Sequence, residues 1–549
     1  MVKALIENSK NLFHKQNNSI LSAAVIIAAS YAASAILGIV RNRLLASYFF
    51  GGLEADLDVY FAAFVIPDTI FQLLVVGALS AAFIPVYSRY LDKGTKKANE
   101  LANATLNTIL VTLTLVTIFI AIFADPISNL IAHFPPEQSR LMASLMRLML
   151  VSQIFFTIST FLTGIIQSHR RFLIPAFAPL LYNFGIILGI IFLSPSFGIY
   201  GAAWGVVIGA ILHMLVQFPL SHHLGYRYQA IISLKHPGVR TITRLMIPRT
   251  LALAISQAER WIAVIITSLL AAGSLSIFNF ARQLYTMPII LFGVSLGQAS
   301  FPNLSLEASG KLDKFNRTLS QTLLQIFFLS LPASALLLIL RIPIVRLAFG
   351  ADNFPWSATL LTGKTLAIFA ISIAPQAASH VLVRAYYALE DTKTPLVISL
   401  ITVTLSLALS YFLALHFGLG ILGIAIAVSI SDVLGFFLLT SFLQRRTGLF
   451  YIYGPASKML IATIFTTASL WLPFRVLDQF VFDTTRTLPL IALTTVTTSI
   501  GMMVYFGFSY LLNVEELNAV VKIVHRLGNW RKVLSRSEEV IEPPTLSSE

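Results

Sequence analysis

The chain has 549 residues, of which 56% are apolar and only 11% charged, against about 25% charged residues in an ordinary soluble domain, and this excludes a soluble globular protein. Lys and Arg outnumber Asp and Glu by 38 to 24, for a net charge of +14, and there is no cysteine, which excludes disulfides and thiolate metal sites. In a soluble chain such a basic excess would suggest nucleic acid, but here it falls in alternate loops between apolar runs, the positive-inside pattern of a membrane protein with no nucleic-acid partner.

In chain order, residues 1–19 (MVKALIENSKNLFHKQNNS) show no small-residue cleavage site after a short apolar core, so the following run reads as a first span rather than a signal peptide. About fourteen runs then approach or exceed the ~20 residues that cross a bilayer as helix: 20–47, 58–88, 101–131, 140–168, 174–194, 199–220, 238–270, 274–304, 314–341, 358–390, 395–417, 419–443, 455–473 and 487–512. The expected fold class is an all-α polytopic membrane protein. Threading these spans back and forth gathers Lys3, Lys10 and Lys15, then Arg89, Lys93, Lys96 and Lys97, then Arg170 and Arg171, Arg227, Lys235 and Arg240, Lys311, Lys314 and Arg317, Lys393, and Arg445 and Arg446 on one side. Both termini are thereby predicted cytoplasmic, in a multi-pass protein of the cytoplasmic membrane.

The chain repeats itself at an interval of roughly 220 residues, an interval holding six spans, which predicts parallel repeats of the kind that rock around a midplane site. GIIQSHRRFLIP (164–175) is answered by RAYYALEDTKTP (384–395), GIYGAAWGVVIGA (198–210) by GILGIAIAVSISD (420–432), and RNR (41–43) by AER (258–260). The expected organisation is a cytoplasmic segment 1–19, an N-lobe 20–221 of spans 1–6, a C-lobe 222–443 of spans 7–12, two extra spans in 444–513, and a cytoplasmic tail 514–549. In the tail, helical spacing of apolar residues predicts an amphipathic helix over 514–534 lying on the anionic leaflet, with disorder beyond. Gly201, Gly205 and Gly209, and Gly423, Ala427, Ser431 and Gly435, form small-residue faces that predict close helix packing.

GLGILG (418–423) matches a dinucleotide fingerprint but follows no strand and lacks the acidic partner, so it reads as a turn. His213 and His380 lie inside spans and read as helix-to-helix hydrogen-bonding groups. No HExxH, Walker A, paired zinc ligands or nucleophile elbow appears, so neither an enzyme nor a metal site is expected, and no cofactor.

Charge within the spans is costly and must be paired or face water. The candidates are Arg41, Arg43, Asp58 and Asp68 in the first half, Glu259, Arg260 and Arg282 in the second, and Asp432 in the twelfth span. Arg43 also suits an interface position from which it snorkels to water, whereas Arg282 stands too deep in its span for that. A cavity lined by arginines suits a phosphate or pyrophosphate, because guanidinium offers a planar donor fork. Glu259 and Asp432 are candidates for coupling to sodium or a proton.

ASAILGIVRNRLLASYFFGGLEADLDVYFAAFVIP, GALSAAFIPVYSRY, RRFLIPAFAPLLYN (170–183), GSLSIFNFARQLYTMPIILFGVSLGQASFPNLS (273–305), RIPIVRLAFGADNF (341–354) and RAYYALEDTKTP, in that order, resemble the MurJ/MviN lipid II flippases of the multidrug/oligosaccharidyl-lipid/polysaccharide exporter superfamily. The resemblance implies fourteen spans and transfer of the undecaprenyl-pyrophosphate-linked peptidoglycan precursor from the inner to the outer leaflet by alternating access. Sodium, protons or the membrane potential would drive it, with membrane lipids and the cell-wall synthesis machinery as further partners. It implies that Arg41 pairs with Asp58 in an outer gate and that Arg282 holds headgroup phosphate. The chain departs from the pattern at Ala35 and Phe71, where the family has arginines, at Asp68, where it has asparagine, and at Val76, where it has an acid. Either Arg43 and Arg260 substitute, or the cargo is another polyprenyl-linked glycan; a non-transporting cell-envelope scaffold is the third reading.

Overall fold

The computed structural model describes residues 20–76, 82–233, 235–308, 310, 312–351, 353–484 and 486–517. The N-terminal segment 1–19 and nearly all of the expected tail helix lie outside them. Among the described residues the structure is helical, with no strand. Fourteen long helices give the frame: α1 (Ile20–Phe49), α2 (Glu54–Phe71), α3 (Thr95–Ile122), α4 (Pro136–Ser168), α5 (Leu173–Leu188), α6 (Ile199–Leu215), α7 (Pro237–Thr267), α8 (Ser274–Pro288), α9 (Leu312–Ile339), α10 (Trp356–Ala388), α11 (Lys393–Tyr411), α12 (Ile421–Thr447), α13 (Tyr453–Val476) and α14 (Thr487–Leu511). An apolar run in lipid must satisfy its own backbone, and the helix does so within the segment. Among the described residues, twelve helices are long and apolar enough to cross a membrane. The two long helices outside that set are α1 and α7, of 30 and 31 residues, and α7 carries Arg240, Arg244, Glu259 and Arg260.

The backbone itself repeats at about 220 residues. Left-handed residues recur in pairs with matching φ: Gly51 and Gly273 at 86°, Arg170 and Glu390 at 57° and 59°, Gly198 and Gly420 at 56° and 55°, Gly225 and Gly448 at 91° and 90°. The π turns recur as well, Gln72–Val76 after α2 with Ile289–Val294 after α8, and Gly189–Leu193 after α5 with Phe412–His416 after α11. The GLGILG stretch supplies two left-handed glycines, Gly418 and Gly420, to the α11–α12 turn.

Helices α5 and α6 meet backbone to backbone. A Cβ on Gly189 would overlap Gly205 Cα, one on Gly185 would overlap Gly209 Cα, and one on Gly423 would lie 2.6 Å from Ala414 N. Gly189→Leu is therefore expected to cost about 1–3 kcal/mol, read as a lower unfolding midpoint in detergent. An unchanged midpoint would show that this contact can open without loss.

The segment joining the two halves is strapped to α3 by a ladder of asparagines one turn apart. Asn99 Nδ2 donates to Gly225 O (2.8 Å), Asn103 Nδ2 to Arg227 O (2.8 Å), and Asn107 Nδ2 to Gln229 O and Ile231 O (2.9 Å each). Tyr226 and Tyr228 return their hydroxyls to Asn103 Oδ1 and Asn107 Oδ1. Alternate carbonyls of an extended chain lie ~6.6 Å apart and i, i+4 side chains on a helix ~6 Å apart, so the two repeats match.

Candidate functional site

At the end of the bundle carrying Gly51 and Gly273 the halves are latched. Glu54 accepts from the N–H groups of Gly51 (2.8 Å) and Gly52 (3.0 Å), setting the start of α2. One turn on, Asp58 is 2% exposed and accepts from Ser276 N (2.7 Å) and Ser276 Oγ (2.6 Å). Its carboxylate thus caps the first turn of α8 across the interface, where the free N–H groups and the helix dipole favour an anion. Around it Phe50, Phe61, Phe280, Phe349 and Phe354 interlock, with Phe50–Phe354 centroids at 4.7 Å and Phe280–Phe349 at 4.6 Å. Arg43 Nη1 donates to Leu347 O (2.9 Å), near the end of the short helix Arg341–Phe349. One nitrogen of Arg43 therefore serves the latch.

The structure does not bring Arg41 and Asp58 together. Arg41 lies eight residues from the end of α1, about 12 Å deep, and Asp58 four residues into α2, about 6 Å deep. No ion pair joins them among the described residues, which corrects the expected pairing for this conformation: Asp58 is used as a helix cap, and Arg41 turns to amides.

Deeper than the latch a polar ring runs between the halves. Arg41 donates to Asn42 Oδ1 (3.0 Å) and to Asn183 Oδ1 of α5 (3.1 Å), and Asn183 Nδ2 donates to Ser34 Oγ (3.1 Å). Asn42 Nδ2 donates across the interface to Gln283 of α8. Beside Gln283, Arg282 pairs with Glu259 of α7 at 3.2 Å. The next residue, Arg260, pairs with Asp68 of α2 and donates also to Gln257. Trp261 Nε1 donates to Thr69 Oγ1 (3.2 Å) alongside. Deeper in the second half, Tyr285 OH donates to Asp432 Oδ2 (2.6 Å) and Ser372 Oγ lies 3.3 Å from the same oxygen.

The side chains of Arg282, Glu259, Arg260 and Asp68 are 24%, 31%, 34% and 16% exposed. All four thus keep part of their surface accessible while paired. Arg41, Arg260 and Arg282 each carry a planar donor fork of the kind that suits an anion's oxygens. Asp432 is held by its two hydroxyl partners. Among the described residues no three His, Asp or Glu side chains converge as a metal set.

Phe71 packs on Phe156 with centroids 5.5 Å apart, an apolar contact where the family pattern has arginine. His213 Nδ1 bonds Ser159 Oγ at 2.6 Å, joining α6 to α4. Sequence reasoning missed the amides Asn42, Asn183, Gln257 and Gln283, whose only signal was their place inside apolar runs. It also missed Arg384 of α10, which donates to Val294 O (2.7 Å) at the π turn after α8; Pro288 just before that turn was the signal.

The family model of the lipid II flippase MurJ matches residues 45–505. A probable lipid II flippase MurJ of Bdellovibrio bacteriovorus is 28% identical over 519 residues, 92% of this chain and 97% of that protein. One of Thermotoga maritima is 29% identical over 495 residues, 89% and 96% of the two chains. A solved structure described as lipid II flippase MurJ in an inward closed conformation matches with TM-score 0.75 and 25% identity over 89% of this chain and 98% of that one. An inward-facing multidrug resistance MATE family transporter of the MOP superfamily shares the fold, with TM-score 0.65 at 13% identity over 75% of this chain and 94% of that one. With the family model spanning most of its length and an all-helical membrane fold to match, this chain belongs to the MurJ lipid II flippase family.

Proposed function

We propose that this chain moves lipid II, the polyprenyl-pyrophosphate-linked peptidoglycan precursor, from the inner to the outer leaflet of the bacterial cytoplasmic membrane by alternating access. The observation that carries the reading is the arginine-bearing ring at the interface of the two halves. It offers guanidinium forks to a pyrophosphate at a depth where little else would justify charge. In this reading α1 and α7 cross with the other twelve, 20–221 and 222–443 are the rocking lobes, 444–513 adds two spans, and 1–19 and 514–549 lie in the cytoplasm. The Gly51–Gly273 end is then the outer face, shut by the Asp58 latch. Arg282, Arg41 and Arg260 hold headgroup phosphate, with Arg43 serving the latch as well as the cavity rim. Glu259 and Asp432 are the carboxylates through which sodium or protons would couple. Membrane lipids surround the cleft, and the cell-wall synthesis machinery would receive the product.

The test is complementation of a bacterium depleted of its own lipid II flippase. Growth and normal shape are expected, and lysis despite membrane insertion of this chain would overturn the reading.

A further inference from the structure

Side-chain contacts of the ring that cross between the halves differ in kind. Asn42 to Gln283 joins neutral amides of α1 and α8, whereas Asp68 to Arg260 joins full charges of α2 and α7. The neighbouring pair, Glu259 with Arg282, lies wholly within the second half, so exchanging its partners leaves the interface untouched. Arg260 and Asp68 are both partly accessible, at 34% and 16% exposure, which the proposed function assigns to the cleft. An arriving anion can therefore reach the guanidinium without unpacking the core.

We propose that Asp68 is a displaceable counter-ion: the diphosphate of the cargo takes Arg260 from it and so breaks the charged bridge between α2 and α7 as it binds. The inference rests on reading the cleft as a pyrophosphate site. A carboxylate offers one negative charge, whereas a diphosphate offers more than one and enough oxygens to engage Arg260 and Arg282 together. Once displaced, Asp68 is a like charge beside the bound anion, which drives α2 away from α7. The chain's departures fit this arrangement: the cation missing at Phe71 of α2 is supplied by Arg260 of α7, and the acid placed at Asp68 neutralises it while the cleft is empty. Cargo binding and release of this bridge are then one event.

Trp261 and Thr69 each follow a member of the pair in sequence and bond each other, so Trp261 reports the state of the bridge. The experiment uses full-length protein in detergent with Trp204, Trp356, Trp471 and Trp530 changed to Phe. Geranyl pyrophosphate and geranyl monophosphate serve as probes, read by Trp261 emission and by calorimetry. In this background the pyrophosphate shifts Trp261 emission and the monophosphate binds more weakly. Asp68→Asn shows the shifted emission before any probe is added and binds pyrophosphate roughly three- to ten-fold tighter, because the competitor is weakened. Arg260→Ala loses at least about tenfold in affinity, and the double variant behaves as Arg260→Ala alone. If Asp68→Asn binds with unchanged affinity while the parent still binds, the counter-ion role is overturned and the pyrophosphate site stands. If the parent binds neither probe, the pyrophosphate reading falls and takes this proposal with it.

Discussion

Arg282→Ala is expected to abolish lipid II transport in a flippase-depleted bacterium while the protein still inserts and folds. The side chain stands on α8 eight residues from Ser274, about 12 Å from the helix start, and its ionic partner is Glu259 at 3.2 Å. Removing it strips a donor fork from the cleft and leaves Glu259 as an uncompensated acid facing the incoming diphosphate. The first effect weakens and the second opposes binding of the cargo, and truncating a hydrogen-bonded charge at a binding interface typically costs about 2–5 kcal/mol of affinity, enough to stop growth. Arg282→Lys keeps the charge but not the planar fork and rescues only in part. Arg282→Ala combined with Glu259→Gln recovers some activity if the repulsion is real. A fully active Arg282→Ala protein would place headgroup recognition elsewhere.

Asp58→Ala is expected to unlatch the end of the bundle that carries Gly51. The carboxylate is buried and accepts two hydrogen bonds from Ser276 at the first turn of α8, and its removal leaves a helix N–H without a partner at an interface closed by phenylalanines. Such a loss costs about 1–3 kcal/mol, which shifts an open–closed equilibrium by roughly fivefold or more. The chain has no cysteine of its own, so an introduced pair reports cleanly. A Cβ on Gly51 would sit 3.7 Å from Asn353 Cβ, inside the ~3.5–4.5 Å range of a disulfide. Oxidative crosslinking of Gly51→Cys with Asn353→Cys is expected to be fast in the parent and several-fold slower with Asp58→Ala. Equal rates would mean that the aromatic cluster alone holds this end shut.

Helices were legible because each apolar run near the length of a bilayer has only one way to satisfy its backbone in lipid. The charges were legible as residues that needed partners; who partners whom was not. Arg41 and Asp58 sit on consecutive helices and close to the same turn, yet nearness along the chain does not say which partners the packed helices supply. Asp58 meets the N-terminus of α8 and Arg41 meets Asn183. The neutral amides escaped notice because they carry no charge to justify, although in a water-poor interior they too need partners. Asn99, Asn103 and Asn107 were visible at one-turn spacing, but their purpose depended on an extended segment more than a hundred residues away.

That asparagine ladder sets a leash. Because residues 225–231 are fastened along α3, only 232–236 are left to span the gap to Pro237, where α7 begins. The six Cα-to-Cα steps from Ile231 to Pro237 extend at most about 20–22 Å, so the near end of α7 can lie no farther than that from its anchor. Lengthening this stretch with glycine and serine would test whether the stroke is bounded by the tether or by the walls of the cleft, and shortening it would stall one half against the other.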